Sequence, residues 1–358
     1  MSARNPVDTG KNGRSAADLV LPHVAAMSGY VPGEQPSGEK LVKLNTNENP
    51  YPPSRAVRDA IADACEDLLL YPDPSAREVR ECVAELYGVD ADGVLVGNGS
   101  DELLSILVRA TTAPGQGIAY PVPTYSLYDT LVELQAARPV RVPFGEDYRL
   151  PEALAEADAR LFFLCNPNAP SGTLVPTDDL EAFARRRADA VVVIDEAYVD
   201  FADTSSVGLV GRVPNVVVLR TLSKSYSLAG LRIGLLMTST DLARELHKVR
   251  DSYNVSRIAQ AGALAALRDQ ATMREHVSRV RATRTRLTDE LRALGFTVGD
   301  SHANFVLAHR PGEDLSGLAS TLRDRRVLVR HFTSLPDALR ITVGTDDEVD
   351  RLLKALRS

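Results

Sequence analysis

Short runs of apolar residues recur at regular intervals between residues 94 and 237. Most of them are continuous and rich in β-branched residues, which is typical of strands buried on both faces of a sheet. Stretches with helical spacing, such as Glu102–Ala110 and Asp178–Arg187, separate several of them. The pattern predicts an α/β fold with a doubly wound, mostly parallel sheet. The predicted strands are Val94–Val96, Ile118–Tyr120, Val140–Phe144, Leu161–Cys165, Ala190–Ile194, Asn215–Leu219 and Arg232–Met237.

The pattern changes after residue 240. Helical spacing covers Asp241–Asp251 and Arg257–Leu294, and a last helix begins at Asp346. Short strands are predicted between them, so the C-terminal part forms a second, smaller α+β domain. These strands are Asn304–Ala308, Val327–Arg330 and Leu339–Val343. The predicted division of the chain is a flexible tail at 1–15, an N-terminal arm at 16–45, a large domain at 46–265 and a small domain at 266–358.

The composition excludes several classes of protein. With 358 residues, the chain exceeds the roughly 150 residues of one domain, so about two domains are expected. It is 44% hydrophobic, and its net charge of −7 argues against a basic nucleic-acid-binding surface. No apolar run approaches the roughly 20 residues of a membrane span, and the polar N-terminus has no apolar h-region, so we expect no secretory signal. We expect a soluble, cytoplasmic protein without a metal site, because the cysteines and histidines lack ligand spacing.

The segment Gly97–Glu102 follows a predicted strand and opens a predicted helix. It begins like a dinucleotide-binding fingerprint, but Glu102 stands where the third glycine is required, so that pattern fails. A Gly-Ser loop before a helix N-terminus still offers free backbone N–H groups to a phosphate. The alternative is that Ser100 or Asp101 only caps the helix.

A lysine and an aspartate follow two further predicted strands. Lys224 comes after Asn215–Leu219, and Asp195 ends the run Ala190–Ile194. Open α/β sheets bind ligands at this edge, where an amine of lowered pKa can form a Schiff base with a carbonyl cofactor. Pyridoxal phosphate needs a carboxylate against its ring nitrogen, which Asp195 would supply. The alternatives are a solvated lysine and a helix-capping aspartate.

Three aromatic or amide groups complete this candidate site. Tyr198 could donate a hydrogen bond to the phenolic oxygen of the ring, and the amides of the loop Asn166–Gly172 could contact the same oxygen. Tyr125 could stack on the ring. Together with Lys224 and Asp195, these groups form a candidate site for pyridoxal phosphate. The residues predicted to bind its phosphate group are Gly99, Ser100, Ser223 and Arg232.

These motifs resemble those of the fold-type I pyridoxal-phosphate-dependent aminotransferases, and within them the histidinol-phosphate aminotransferase family. The resemblance runs from about Tyr30 to the C-terminus. Aromatic aminotransferases and threonine-phosphate decarboxylases share many of the motifs and remain alternatives. The motifs are LNTNENP at 44–50, YPD at 71–73, GNGSDE at 97–102, DEAY at 195–198, TLSK at 221–224 with Arg232, and LRITVG at 339–344.

The resemblance implies a role for each candidate residue. It implies that Lys224 is the nucleophile and proton carrier, and that Asp195 pairs with the ring nitrogen. Tyr198 would contact the phenolic oxygen, and Tyr125 would stack on the ring. The phosphate would lie on Gly99, Ser100, Asp101, Ser223 and Arg232.

The substrate and the assembly follow from the same resemblance. It implies that Arg330 and Arg340 bind the anionic ends of the substrate, with Tyr30 and Asn47 nearby. Tyr71 would reach the cofactor phosphate of a neighbouring subunit, so the protein would be a homodimer with shared sites. The reaction would convert L-histidinol phosphate and 2-oxoglutarate to imidazole-acetol phosphate and L-glutamate.

One position departs from the family pattern. The family reads Asn-Pro-x-Asn-Pro-Thr-Gly, whereas Ala169 stands here at the second asparagine. We predict that Asn168 replaces it by a local shift; the alternative is that Tyr198 serves the phenolic oxygen alone. Two rivals from other classes are a dinucleotide-dependent oxidoreductase, which the failed glycine pattern disfavours, and a non-catalytic binding protein, which Lys224 disfavours.

Overall fold

The structure is a computed structural model that describes residues 15–36, 41–145 and 147–357. The predicted flexible tail, except Ser15, lies outside the described residues. The strands are β1 Val42–Leu44, β2 Val94–Asn98, β3 Gly117–Val122, β4 Arg138–Pro143, β5 Leu161–Cys165, β6 Val191–Asp195, β7 Val216–Thr221, β8 Ile233–Met237, β9 Thr297–Val298, β10 Phe305–His309, β11 Val327–Phe332 and β12 Leu335–Thr342. The α-helices are α1 Pro22–Ala25, α2 Arg55–Ala64, α3 Arg77–Tyr87, α4 Ser100–Thr111, α5 Leu127–Leu134, α6 Glu152–Ala155, α7 Thr177–Arg186, α8 Thr240–His247, α9 Arg257–Arg268, α10 Gln270–Ala293, α11 Ser316–Asp324 and α12 Asp346–Arg357.

A seven-stranded sheet carries the predicted strands of residues 94–237, in the order β2-β8-β7-β6-β5-β3-β4. Its strands run parallel except β8, which is antiparallel to both of its neighbours. Adjacent residues such as Phe162 and Phe163 are both fully buried and belong to separate apolar clusters, one on each face. The continuous apolar runs therefore reflect burial on both faces, and the predicted α/β fold with a mostly parallel sheet is confirmed.

The reversed strand β8 brings its first residues to the edge where the parallel strands end. Gly234 pairs with Thr221, the last residue of β7. A Cβ atom on Gly234 would lie 2.4 Å from the carbonyl carbon of Gly99, so only glycine allows the loop before α4 to approach β8 this closely. The loops after β2 and before β8 consequently meet at one edge of the sheet.

The second sheet has five strands, in the order β1-β11-β12-β10-β9. Its strand β1 lies in the predicted N-terminal arm and pairs parallel to β11. The sequence did not predict this strand, because three residues carry too little of a pattern, although Val42 and Leu44 are almost fully buried. The N-terminal arm thus crosses to the C-terminal sheet and adds a strand to it.

The predicted helical stretch Arg257–Leu294 is two helices, α9 and α10. They separate at Asp269, whose carboxylate accepts a hydrogen bond from the Thr272 N–H (3.2 Å) and caps α10. Residue 265, the predicted end of the large domain, lies inside α9, and the domain division stays a prediction. Within the described ranges, no helix combines the length and apolar character that a membrane crossing requires.

Candidate active site

A cavity of about 360 Å³ opens where β5, β6 and β7 end, facing β11 and β12 of the second sheet. Ligands bind at this edge in open α/β folds. Most of the predicted site residues line it, although they come from distant parts of the chain. These are Tyr30, Asn47, Ser100, Asp101, Tyr125, Asp195, Tyr198, Ser223, Lys224, Arg232, Arg330 and Arg340.

Lys224 lies three residues after β7, and its side chain enters the cavity. The Nζ atom is 3.4 Å from the Thr46 carbonyl oxygen and 5.7 Å from the centre of the Tyr198 ring. Burial, with the nearby Arg340 guanidinium acting in the same direction, lowers the pKa of Lys224 to about 8. A substantial fraction of the amine is therefore neutral, and nucleophilic, near physiological pH.

Asp195 ends β6 and is almost completely buried at the cavity wall. The Tyr128 hydroxyl donates to its Oδ2 atom (2.8 Å), and the Ala197 N–H donates to its Oδ1 atom (3.2 Å). Burial raises the pKa of Asp195 to about 6, although both hydrogen bonds favour the carboxylate. The group is thus mostly ionised at neutral pH and can hold a positively charged ring nitrogen.

Tyr198 is held by Asn47, which follows β1, and by the ring of Phe305 in β10. The Asn47 Nδ2 atom donates to its hydroxyl oxygen (3.0 Å), so the phenolic proton is free to donate into the cavity. Asn47 adopts a left-handed conformation (φ 57°) and is fixed by Thr342 and Asn304. Burial raises the pKa of Tyr198 to about 12, so the hydroxyl remains a donor throughout the physiological range.

The residues predicted to bind the phosphate lie around the N-terminus of α4. Gly99 precedes the helix with φ 82°, and no side chain caps the helix, so the proposed capping by Ser100 or Asp101 is not observed. The Asp101 carboxylate instead accepts a hydrogen bond from Arg232 (3.0 Å) and orients that guanidinium. A Cβ atom on Gly99 would lie 2.6 Å from Arg232 Nη2 and would displace that guanidinium, and the φ of 82° itself favours glycine.

Arg330 and Arg340 pair across β11 and β12 and line the opposite wall of the cavity. The Arg340 Nη2 atom donates to the Asn45 carbonyl oxygen (2.9 Å), while its buried Nε atom has no hydrogen-bond partner among the described residues. A buried guanidinium N–H without an acceptor is costly, so an acceptor on a bound ligand would stabilise this group. Two adjacent guanidinium groups favour an anion there.

Comparison with known proteins identifies the family. The sequence profile described as "Aminotransferase class I and II" matches residues 39–356. The chain belongs to this family. Its relatives include proteins named histidinol-phosphate aminotransferase 1 from Trichormus variabilis, 48% identical over 94% of this chain and 97% of that protein, and from Nostoc sp., 50% identical over 94% and 96%.

A solved structure of the family supports the same conclusion. The crystal structure of histidinol-phosphate aminotransferase from Sinorhizobium meliloti in complex with pyridoxal-5'-phosphate superimposes with a TM-score of 0.86. It is 28% identical and covers 94% of this chain and 97% of that one. The predicted resemblance and fold type are confirmed, and this chain is an aminotransferase.

The structure does not bring Asn168 into the cavity, contrary to the predicted local shift. Its amide nitrogen donates to the Pro123 carbonyl oxygen (3.1 Å) and the Ser171 hydroxyl (2.8 Å). Its oxygen accepts from the Thr124 hydroxyl (2.8 Å), so the side chain is occupied within the loops. Ala169 lines the cavity instead and offers no polar side chain to a ligand.

Tyr71 also lies away from the cavity of its own chain. Its side chain is 78% exposed and stacks on Tyr253, with ring centres 4.6 Å apart. The Arg257 guanidinium donates to its carbonyl oxygen (2.8 Å), which fixes the segment against α9. The Tyr71 side chain therefore does not line the cavity of its own chain.

Several residues at the site were missed by the sequence analysis. Thr46 and Glu48 line the cavity and both bind Lys43, while Phe332 lines the opposite wall. Tyr128 contacts Asp195 from behind the cavity. Only Thr46 and Glu48 had a signal, since both stand in the LNTNENP motif. In the described part of the chain, no cluster of three or more histidine, cysteine, aspartate or glutamate side chains could hold a metal ion.

Proposed function

We propose that this aminotransferase uses pyridoxal 5'-phosphate to exchange an amino group between L-histidinol phosphate and 2-oxoglutarate. The observation that supports the proposal is the pair of guanidinium groups, Arg330 and Arg340, on the cavity wall opposite Lys224, where the buried Nε atom of Arg340 has no hydrogen-bond partner among the described residues. The names of the relatives from Trichormus and Nostoc and of the Sinorhizobium structure support this substrate.

The residues present fit the cofactor. The α4 N-terminus, Ser223 and Arg232 would hold its phosphate, and the Tyr125 ring would stack on its ring. Asp195 would face the ring nitrogen, while Tyr198 alone would serve the phenolic oxygen because Asn168 is occupied elsewhere. The bound cofactor supplies an electron sink for loss of the proton from the amine-bearing carbon.

The protein groups then orient the reactants and move the proton. The Lys224 amine, whose pKa of about 8 leaves part of it neutral, takes and returns that proton at the cavity floor. Arg340 and Arg330 hold the anionic end of the substrate, which fixes the position of its amine-bearing carbon. The Asp195 carboxylate would favour a protonated ring nitrogen on the bound cofactor.

A half-reaction screen tests the substrate. The purified enzyme loaded with pyridoxal phosphate is mixed separately with histidinol phosphate, phenylalanine and tyrosine, and the loss of the lysine-bound cofactor absorbance is followed. We expect the highest kcat/KM with histidinol phosphate, because two guanidinium groups favour a phosphate dianion. A higher value with phenylalanine or tyrosine would instead assign an aromatic aminotransferase.

The capture of the cofactor by the apoenzyme should depend on pH. Only the neutral amine attacks a carbonyl, so the rate should rise with pH and level off above about 8, the pKa of Lys224. A free lysine would level off about two units higher. Stopped-flow absorbance from pH 6 to pH 10.5 measures this profile, and a rate still rising at the highest pH would contradict the lowered pKa.

We further propose a homodimer with shared sites. The segment Leu68–Tyr71 exposes three consecutive leucines and a tyrosine, with Leu69 84% exposed. Such an apolar surface marks an interaction site, and a second copy would bring Tyr71 to the neighbouring cofactor phosphate. A charge-assisted hydrogen bond of this kind contributes about 1.5–3 kcal/mol, so Tyr71→Phe should weaken cofactor affinity roughly ten- to a hundredfold.

Mixed dimers test the sharing of sites. Lys224→Ala and Tyr71→Phe subunits are each impaired alone, but in a hybrid both changes fall in one site. The other site combines the intact Lys224 with the partner's intact Tyr71 and should recover activity. Hybrids of wild-type and Lys224→Ala subunits serve as the control. Isolated hybrids without recovery, or an active monomer, would contradict the shared site.

A further inference from the structure

Tyr128 is a buried tyrosine behind the cavity, and the reaction described above does not use it. It lies in α5, is fully buried, and stacks on Phe163 with ring centres 4.6 Å apart. Its hydroxyl donates to the Asp195 Oδ2 atom at 2.8 Å. We propose that Tyr128 is the positioning residue that aims the Asp195 carboxylate at the ring nitrogen of the cofactor and keeps it negatively charged.

The packing leaves the Tyr128 hydroxyl little freedom. Its ring also meets the Tyr125 ring edge to face at 5.6 Å, and its N–H donates to the Tyr125 carbonyl oxygen (3.2 Å). Tyr125 lines the cavity where the cofactor ring would stack. Tyr125, which would stack on the cofactor, and Tyr128, which donates to Asp195, are three residues apart in the chain. Their contacts with each other therefore fix their relative positions.

The charges around Asp195 explain why the carboxylate needs this donor. Burial disfavours its ionised form, and the carboxylates of Asp101 and Glu196 act in the same direction. Against them stand the Tyr128 hydroxyl and the Ala197 N–H, one on each carboxylate oxygen. Removing the hydroxyl would raise the pKa of Asp195 further above 6, so that a neutral acid would face the ring nitrogen.

A neighbouring tyrosine offers a matched control. Tyr120 is also buried, its ring lies 5.8 Å from that of Tyr128, and its hydroxyl donates to the carboxylate of Asp129. Tyr120→Phe therefore deletes the same atom in the same layer of the core, but at a carboxylate outside the cavity. If Tyr128 had only a structural role, Tyr120→Phe and Tyr128→Phe should have similar effects on cofactor affinity and on the protonation of the cofactor ring.

The experiment compares both variants, using cofactor labelled with ¹⁵N in its ring. In Tyr128→Phe we expect the ring ¹⁵N resonance to move from the protonated toward the neutral position, and cofactor affinity to fall roughly tenfold. Tyr120→Phe should change neither. Since the inference rests on the proposed binding of pyridoxal phosphate, the wild-type protein must first show the lysine-bound cofactor absorbance.

A double-mutant cycle with Asp195→Asn gives a second measurement. If Tyr128 acts through Asp195, adding Tyr128→Phe to Asp195→Asn should cause little further loss of affinity. In the double variant, residue 195 is no longer a carboxylate, so no buried charge is left without the donor that Tyr128 supplied. The double variant can therefore be measured even if Tyr128→Phe alone folds poorly. An unshifted ¹⁵N resonance or additive losses would overturn the inference while leaving the proposed function intact. A wild-type protein that fails to bind the cofactor would overturn both.

Discussion

Replacing Lys224 with alanine should abolish the visible absorbance of the lysine-bound cofactor and lower transamination by on the order of 10⁴-fold or more. The amine is the group that both bonds to the cofactor and carries the proton, and it enters the cavity near Thr46 and Tyr198. Single-turnover kinetics with histidinol phosphate and an absorbance spectrum measure the two effects.

Lys248→Ala provides the control for this variant. Lys248 follows α8 on the surface and pairs with Glu245, so its loss should leave both readouts unchanged. Substantial turnover by Lys224→Ala, with the protein folded and the cofactor bound, would show that the wrong lysine has been assigned.

Replacing Asp195 with asparagine should lower the rate of the half-reaction by about 10²–10³-fold while the protein stays folded. The amide is nearly the same size and can still accept from the Tyr128 hydroxyl, but it carries no charge to hold a proton on the ring nitrogen. Without that proton the ring withdraws electrons less strongly from the reacting carbon. Single-turnover rates at saturating cofactor measure the loss.

Asp129→Asn is a matched control for this second variant. Asp129 also accepts from a buried tyrosine, Tyr120, but lies outside the cavity, and its replacement should leave the half-reaction unchanged. An unchanged rate in Asp195→Asn with cofactor bound would remove Asp195 from its assigned role.

Much of the large sheet could be predicted because its signal is local. The run Leu161–Cys165 is continuous and apolar, and the strand β5 has the same bounds. Polar residues placed directly after such runs, Asp195 and Lys224 among them, are predictable for the same reason, since the ends of parallel strands meet at one edge. The direction of β8 had no local signal, because strand pairing depends on residues far apart in the chain.

In the candidate site too, residues with a local sequence signal could be predicted, whereas those placed by distant contacts could not. Lys224, Asp195, Tyr198 and Arg232 could be found from their motifs, and each reaches the cavity. Asn168 could not be placed correctly, because its hydrogen bonds to Pro123 and Thr124 join two loops that follow different strands. Tyr128 had no motif at all; only the tertiary structure shows that its hydroxyl donates to Asp195, the last residue of β6.

The sequence by itself determined the α/β class, most of the strand positions and the lysine, aspartate and arginine of the site, since each of these depends on neighbouring residues. The tertiary structure decided the pairing of β1 with the C-terminal sheet, the exclusion of Asn168 from the cavity and the burial of the Arg340 Nε atom without a hydrogen-bond partner among the described residues. These features depend on contacts between segments far apart in the chain, and such contacts form only when the hydrophobic core brings the segments together.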